Sequence, residues 1–140
     1  MRGKIVLLTF LYVHCTNVCP VIAEQLNQAL RELPASSRAQ VRVLAVSVDP
    51  RGDTPSAVAH FIAVHRLLPQ FLYLTGSAAT LEKVWAGYHV ASTPGPDGSV
   101  VGHTAVVLLL NRALQAQAVY DSTVTPQQVL HDLDVLGLTE

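Results

Sequence analysis

At 140 residues, with 50% of them apolar and 14% charged, the chain suits one domain around one core and is too apolar for a disordered segment. A net charge of −1 with neutral histidines, no basic face and no acidic tail argue against nucleic acid as a partner. No internal repeat or low-complexity tract divides it, so residues 1–140 read as a single domain.

The opening MRGKIVLLTFLYV is too short to span a bilayer and lacks the small-residue cleavage site of a signal peptide, so neither an export signal nor an anchor is read in this chain. Ile5 to Val13 is a continuous apolar run with β-branched and aromatic content, which predicts a buried strand. From Val18 the period changes: Ile22, Leu26, Leu30 and Leu33 share one helical face, opposite Glu24, Gln25, Gln28 and Arg31. Pro34 stops that helix. Val41 to Val48 is a second strand, and DPRGDTP (49–55) is a loop that ends with Thr54 as N-cap and Pro55 as first helical residue. Val58, Phe61, Ile62 and His65 line one side of the helix that follows.

Phe71 to Leu74 is a short third strand, and Ser77 caps a helix carrying Leu81, Val84, Trp85 and Tyr88, with the Trp85–Tyr88 pair in the core. PGPDG (94–98) is turn chemistry. Thr104 to Leu110 and Gln115 to Tyr120 read as an antiparallel pair turning near Asn111-Arg112. Thr125-Pro126-Gln127-Gln128 is a capping box that opens a last helix with Val129, Leu130, Leu133 and Leu136 inward. Parallel strands joined by helices, then an antiparallel pair, give an α/β fold: a central mixed sheet with helices on both faces. That order fits a thioredoxin-like fold.

The only two cysteines, Cys15 and Cys19, lie where the first strand ends and the first helix begins. Positions i and i+4 share a side, roughly 6 Å apart at Cα, within disulfide reach and able to face one ion. A helix N-terminus favours negative charge, so at least one thiol is expected to be acidic. The plain alternative is a buried pair without chemistry. Its position at the carboxyl end of the sheet, where open α/β sheets place their sites, speaks against that. Two thiolates leave a metal under-coordinated, and His103, in VVGHTAVVLLL just before an apolar strand, is the best third ligand among six histidines. In a thioredoxin-like fold the loop before that strand touches the cysteine loop. Oxidoreductases of this fold usually place a cis-proline there, whereas this chain has no proline between Asp97 and Pro126. Two thiolates and one imidazole make a soft, low-coordinate site suited to Cu(I), or to Cu(II) with added oxygen or nitrogen ligands; zinc would want a fourth ligand.

His14 adjoins Cys15, but neighbouring side chains on a strand diverge. His60 and His131 fall on polar helical faces, His65 suits a half-buried helix–sheet contact, and His89 has no evident partner. Asp49 stands at the same sheet edge as Cys15 and could accept a hydrogen bond from the site; the favoured reading is that Asp49 and Asp53 shape a turn and cap a helix.

Together these pieces resemble the Sco/SenC family of copper-delivery proteins for cytochrome c oxidase, over nearly the whole chain. RGKIVLLTFLYVHC is similar to the family's strand leading into C-x-x-x-C-P, with Cys15, Cys19 and Pro20 in place. SVDPRGDTP resembles its S-V-D-P-x-R-D-T-P segment, FLYLTG its third strand, and GHT its D-H-T/S. The resemblance implies that Cys15, Cys19 and His103 ligate copper, that the reduced thiols bind it, and that the oxidised pair forms a disulfide. It implies as partners the copper-site subunit of cytochrome c oxidase or another copper chaperone, and a thiol–disulfide reductase. It implies the extracytoplasmic face of a bacterial membrane, or the periplasm, as the location. Thr16 departs from the family's frequent proline, Gly52 from its arginine and Gly102 from its aspartate, all beside the ligands rather than at them. The family's upstream hairpin and anchor have no counterpart in this sequence. If the natural protein lacks them too, an open sheet edge able to pair with another chain is expected.

The reading is therefore a metallochaperone that carries Cu(I), or reduces and metallates the oxidase's dinuclear copper site, by thiolate exchange without turnover of a small substrate. Three rivals remain: a thiol–disulfide oxidoreductase with Cys15 and Cys19 as catalytic pair, a thiol peroxidase, and a redox or copper sensor.

Overall fold

β1 (Ile5–Leu11) is buried at every position, which requires that both faces of the sheet be covered at its centre. This computed structural model describes residues 1–94, 100–103 and 105–138. After β1 come α1 (Val18–Glu32), α2 (Ala35–Arg38), β2 (Val41–Ser47), α3 (Pro55–Val64), β3 (Phe71–Leu74) and α4 (Ala78–Gly87). β4 (Ser92–Pro94), β5 (Val100–His103), β6 (Val107–Leu110), β7 (Ala116–Tyr120) and α5 (Pro126–Val135) complete the described elements.

The five-stranded sheet has the order β3-β2-β1-β6-β7. β1 runs parallel to β2, in register from Ile5↔Val41 to Leu11↔Ser47, and antiparallel to β6, from Val6↔Leu110 to Thr9↔Val107. β3 extends the parallel half and β7 the antiparallel half, so the sheet is mixed as expected. The apolar face of α1 is buried through Ile22, Leu26 and Leu30, with Leu33 closing it, and α1 packs beside α5. Thr54, Ser77 and Thr125 cap α3, α4 and α5 by accepting from the backbone N–H groups of Ala57, Thr80 and Gln128. The capping box at Thr125 is complete, because the Gln128 side chain accepts in return from the Thr125 N–H at 2.9 Å.

Several features differ from the sequence reading, β2 ending at Ser47, β6 starting at Val107 and β7 at Ala116 among them. β1 ends at Leu11 rather than Val13, because its partner β2 stops at Ser47 and the Val13 N–H turns to a side chain instead. Pro34 stops α1 as expected but also leads into the short α2, whose Arg38 covers carbonyls at the end of α1, donating to Leu30 and Leu33 at 2.8 Å each. The segment around PGPDG carries a two-stranded hairpin, β4 with β5, that turn chemistry alone did not reveal; residues 95–98 of that turn lie outside the described residues. Tyr88 is 43% exposed and touches the core only through its ring, 5.8 Å from that of Phe10, whereas Trp85 is half-buried and donates to the Ser47 carbonyl at 2.9 Å.

Asn27 is a buried polar residue on α1. It donates to the Arg66 carbonyl at 3.1 Å and accepts from the Leu68 N–H at 2.9 Å, clamping the turn after α3, where Arg66 has a φ of 50°. Asn27→Ala removes both bonds and leaves the Leu68 N–H without this acceptor. It should cost about 1–3 kcal/mol in urea unfolding, and an unchanged midpoint would show that the clamp contributes nothing.

Candidate metal centre

The cysteine loop is built between two anchors. On one side β1 delivers the chain to Leu11, whose carbonyl accepts from the Val48 N–H at 3.0 Å. On the other side α1 begins with Asn17 as N-cap residue, Cys19 as second helical residue and Pro20 as third. Proline is tolerated there because the first-turn N–H groups have no intrahelical partner. Between the anchors the chain turns tightly, the Cys15 N–H donating to the Tyr12 carbonyl at 3.2 Å.

No side chain of Asn17 caps α1. The Cys15 sulfur takes that place, accepting from the backbone N–H groups of Asn17 and Cys19, from the Cys19 thiol and from the Tyr12 hydroxyl. Burial pushes the Cys15 thiol up, but these four donors outweigh it and bring it below the ordinary thiol value. Cys19 goes the other way. Burial pushes it up strongly, a bond with the Tyr12 backbone opposes that, and the neighbouring Cys15 raises it further. Tyr12 is itself pushed up to about 12, first by burial and then by the charge of Cys15 and the hydrogen bond to it. Both cysteines are free thiols, Cys15 at 7% exposure and Cys19 at 0%. Both sulfurs are thus buried, Cys15 slightly less than Cys19, and Cys15 is the more acidic, as the helix N-terminus led us to expect for at least one thiol.

His103 is described by its backbone alone. It ends β5 opposite Ser92, and its side chain and all of Thr104 lie outside the described residues. Just beyond, the Val106 carbonyl accepts from Thr9 Oγ1 at 2.8 Å, which ties the lead-in to β6 onto β1. Among the described residues no group of three or more His, Cys, Asp and Glu side chains is arranged to hold a metal ion. Cys15 and Cys19 are thus the described donors, and their chemistry, two adjacent sulfurs of which one is already acidic, fits a soft metal.

The remaining histidines stand apart from the sulfurs. His14 is exposed and lines a cleft of about 470 Å³ with His60 and His65. His60 and His131 are exposed as expected, and His131 sits 3.0 Å from its neighbour Asp132. His65 is half-buried, but against a helix rather than the sheet: its Nδ1 is 2.9 Å from Glu24 of α1 and its ring stacks 4.5 Å from Phe61. His89 is exposed at the end of α4, with a φ of 57°.

The DPRGDTP loop does more than close a turn. Asp49 does shape it, its Oδ1 accepting from the Gly52 N–H at 3.1 Å. Asp53 does not cap α3, a role Thr54 fills; its buried carboxylate instead accepts from the Val13 N–H at 2.9 Å, Ser47 Oγ at 2.7 Å and the Tyr73 hydroxyl at 2.8 Å. Burial pushes Asp53 up, and these three bonds hold it back only in part. Gly52 has no room for a side chain: a Cβ would collide with the Asp49 carboxylate and come within 3.0 Å of His14 Cδ2. Of the residues near the site, sequence reasoning passed over Tyr12, and it took Asp53 for a turn or cap residue and Gly52 for a departure from the family pattern. Tyr12 was hidden in an apolar run, and nothing local to Asp53 in the sequence marks Val13 and Tyr73 as its donors.

This architecture, a mixed sheet in the order β3-β2-β1-β6-β7 with a thiol pair at the first helix start, defines a thioredoxin-like domain. A model of the SCO1/SenC family matches residues 1–136, and the chain belongs to that family. It is 35% identical over 136 residues to the mitochondrial SCO2 homolog of Bos taurus, covering 86% of this chain and 50% of that protein. Among solved structures it resembles copper-bound ScoI of Bradyrhizobium japonicum, with a TM-score of 0.82, 29% identity and coverage of 96% and 86% of the two chains. The fold is shared also with BsSco, described as having a disulfide switch and as a member of the Sco family of cytochrome c oxidase assembly proteins. That match has a TM-score of 0.75, 22% identity and coverage of 99% and 83%. The chain spans about half the length of the curated relatives it matches. No helix among the described residues is long and apolar enough to cross a membrane.

The asymmetry of the thiols is directly measurable. At about pH 8, below the ordinary thiol value, iodoacetamide should label Cys15 well before Cys19 in mass spectra. Tyr12→Phe removes one donor to the Cys15 thiolate, so the pH profile of Cys15 labelling should move upward. A profile that stays put or moves down would contradict the assignment.

Proposed function

We propose that this domain binds Cu(I) as cargo between Cys15 and Cys19, with His103 closing the site, and passes it to an acceptor by thiolate exchange. The observation that carries this reading is the pair of free, adjacent sulfurs at the start of α1, Cys15 more acidic and slightly exposed, Cys19 less acidic and fully buried. Cys15 is the entry ligand, since its thiol is the more acidic of the two. Cys19 yields its proton when the second bond forms, so binding releases protons and weakens as pH falls. Departure runs in reverse, an acceptor thiolate displacing Cys15 first. The position of His103 is compatible with this. Val106 is three positions further on, a span of at most ~10 Å, and is tied to β1.

Membership of the SCO1/SenC family and the likeness to a copper-bound ScoI support copper as the cargo. The same membership supports the copper-site subunit of cytochrome c oxidase, or another copper chaperone, as partner, at the extracytoplasmic side of a membrane. A second reading draws on the same asymmetry: a more acidic Cys15, slightly exposed, and a fully buried Cys19 also suit attack and resolution in thiol–disulfide exchange. In that role the Cys15 thiolate attacks a substrate disulfide and expels one thiolate. Cys19 then loses its proton, attacks the mixed disulfide, and leaves the Cys15–Cys19 disulfide and a second substrate thiolate.

Competition with a chromophoric Cu(I) chelator separates the two. The reduced protein should take up one Cu(I) per chain, and His103→Ala should hold it at least about tenfold more weakly, the least loss expected even for a supporting residue. Binding that ignores His103, together with insulin reduction at a catalytic rate, would replace the copper reading by thiol exchange.

A further inference from the structure

The DPRGDTP loop touches the cysteine loop at two points, and neither contact serves the turn itself. Asp53 Oδ1 accepts from the Val13 N–H at 2.9 Å, two residues before Cys15. Gly52 packs beside the ring of His14, closely enough that a Cβ would come within 3.0 Å of it. The other carboxylate oxygen, Asp53 Oδ2, is fixed in turn by Ser47 at the end of β2 and by Tyr73 on β3, at 2.7 and 2.8 Å. The Asp53 N–H donates to the Asp49 carbonyl at 2.8 Å, and the Asp49 N–H donates to Ser47 Oγ at 3.1 Å. Ser47 also presents its carbonyl to Trp85 of α4 at 2.9 Å.

From this arrangement we infer that Asp53 is a positioning residue for the thiol pair: its carboxylate fixes the chain at Val13 against the ends of β2 and β3 and so holds Cys15 over the start of α1. β1 has left the sheet ladder at Leu11, and the Val13 N–H takes the Asp53 carboxylate as its acceptor. Cys15 lies four positions beyond Leu11, enough for its sulfur to drift away from the Asn17 and Cys19 amides if Val13 were released. A carboxylate suits the task because its two oxygens accept from three donors on three segments at once. A site whose ligands are already placed binds more tightly than one that must be ordered on binding.

The inference rests on the copper reading for its main readout, and a second readout is independent of copper. Cu(I) competition on Asp53→Ala should show affinity lowered about 10–100-fold, the usual cost of losing a supporting residue. Asp53→Asn keeps an oxygen for the Val13 N–H and should stay within about threefold of wild type, a rescue that loss of general stability would not produce. Independently, at about pH 10, above the ordinary thiol value so that differences in thiol acidity drop out, Cys15 in folded Asp53→Ala should be labelled by iodoacetamide several-fold faster than in Asp53→Asn, because the loop is no longer held down. Should Asp53→Ala fail to fold, Ser47→Ala combined with Tyr73→Phe removes two of the three donors and should weaken Cu(I) binding and speed labelling in the same directions. If wild type binds no Cu(I) but the labelling difference persists, the copper reading falls and the positioning role stands. If wild-type labelling and affinity persist in folded Asp53→Ala, or in the double variant where Asp53→Ala is unfolded, the positioning role is overturned.

Discussion

The amides at the start of α1 find their acceptor in the Cys15 sulfur. A helix begins with N–H groups that lack intrahelical partners, and here no oxygen of a capping side chain answers them. The sulfur does so, and in accepting those bonds becomes the acidic member of the pair. Everything else in the fold serves to keep it there. β1, buried along its whole length, brings the chain to the right end of the sheet. The Asp53 carboxylate holds the chain after β1, and α1 is anchored through Ile22, Leu26 and Leu30 so that its first turn cannot shift.

The same constraint explains why the two cysteines differ. Cys19, one turn deeper and fully buried, faces the cost of placing charge in an apolar setting beside another sulfur. A pair of equally exposed thiols would bind metal and oxidise with little order of events. With Cys15 the more acidic thiol and Cys19 the deeper one, the proposed order is that the outer sulfur makes and breaks the first bond and the inner one follows with loss of its proton. That order suits cargo transfer, and it suits disulfide exchange as well, which is why the third ligand decides between them.

Much of this could be read in the sequence because local chemistry and global fold agree. The 3.6-residue spacing of Ile22, Leu26 and Leu30, the Thr54-Pro55 start and the Thr125–Gln128 capping box each name their element unaided. The thiol pair was legible for the same reason: its place between an apolar run and a helix start fixes its surroundings. What escaped was set by tertiary contact. The last two residues of the predicted first strand left it because β2 ended at Ser47. His65 found Glu24, 41 positions away, rather than the sheet. Asp53 looked like a turn residue because its three donors come from distant segments. The glycine at position 52, a departure from the family's arginine, acquires a reason only when Asp49 and His14 are seen to fill the space a side chain would need.

The central claim of the proposed function is that a metal is held by two sulfurs and one imidazole nitrogen. X-ray absorption of the Cu(I)-loaded, reduced protein addresses it directly. The account predicts a low-coordinate copper with two sulfur scatterers and one nitrogen scatterer, the nitrogen vanishing in His103→Ala. A spectrum with sulfur alone, or one that His103→Ala leaves unchanged, would contradict it.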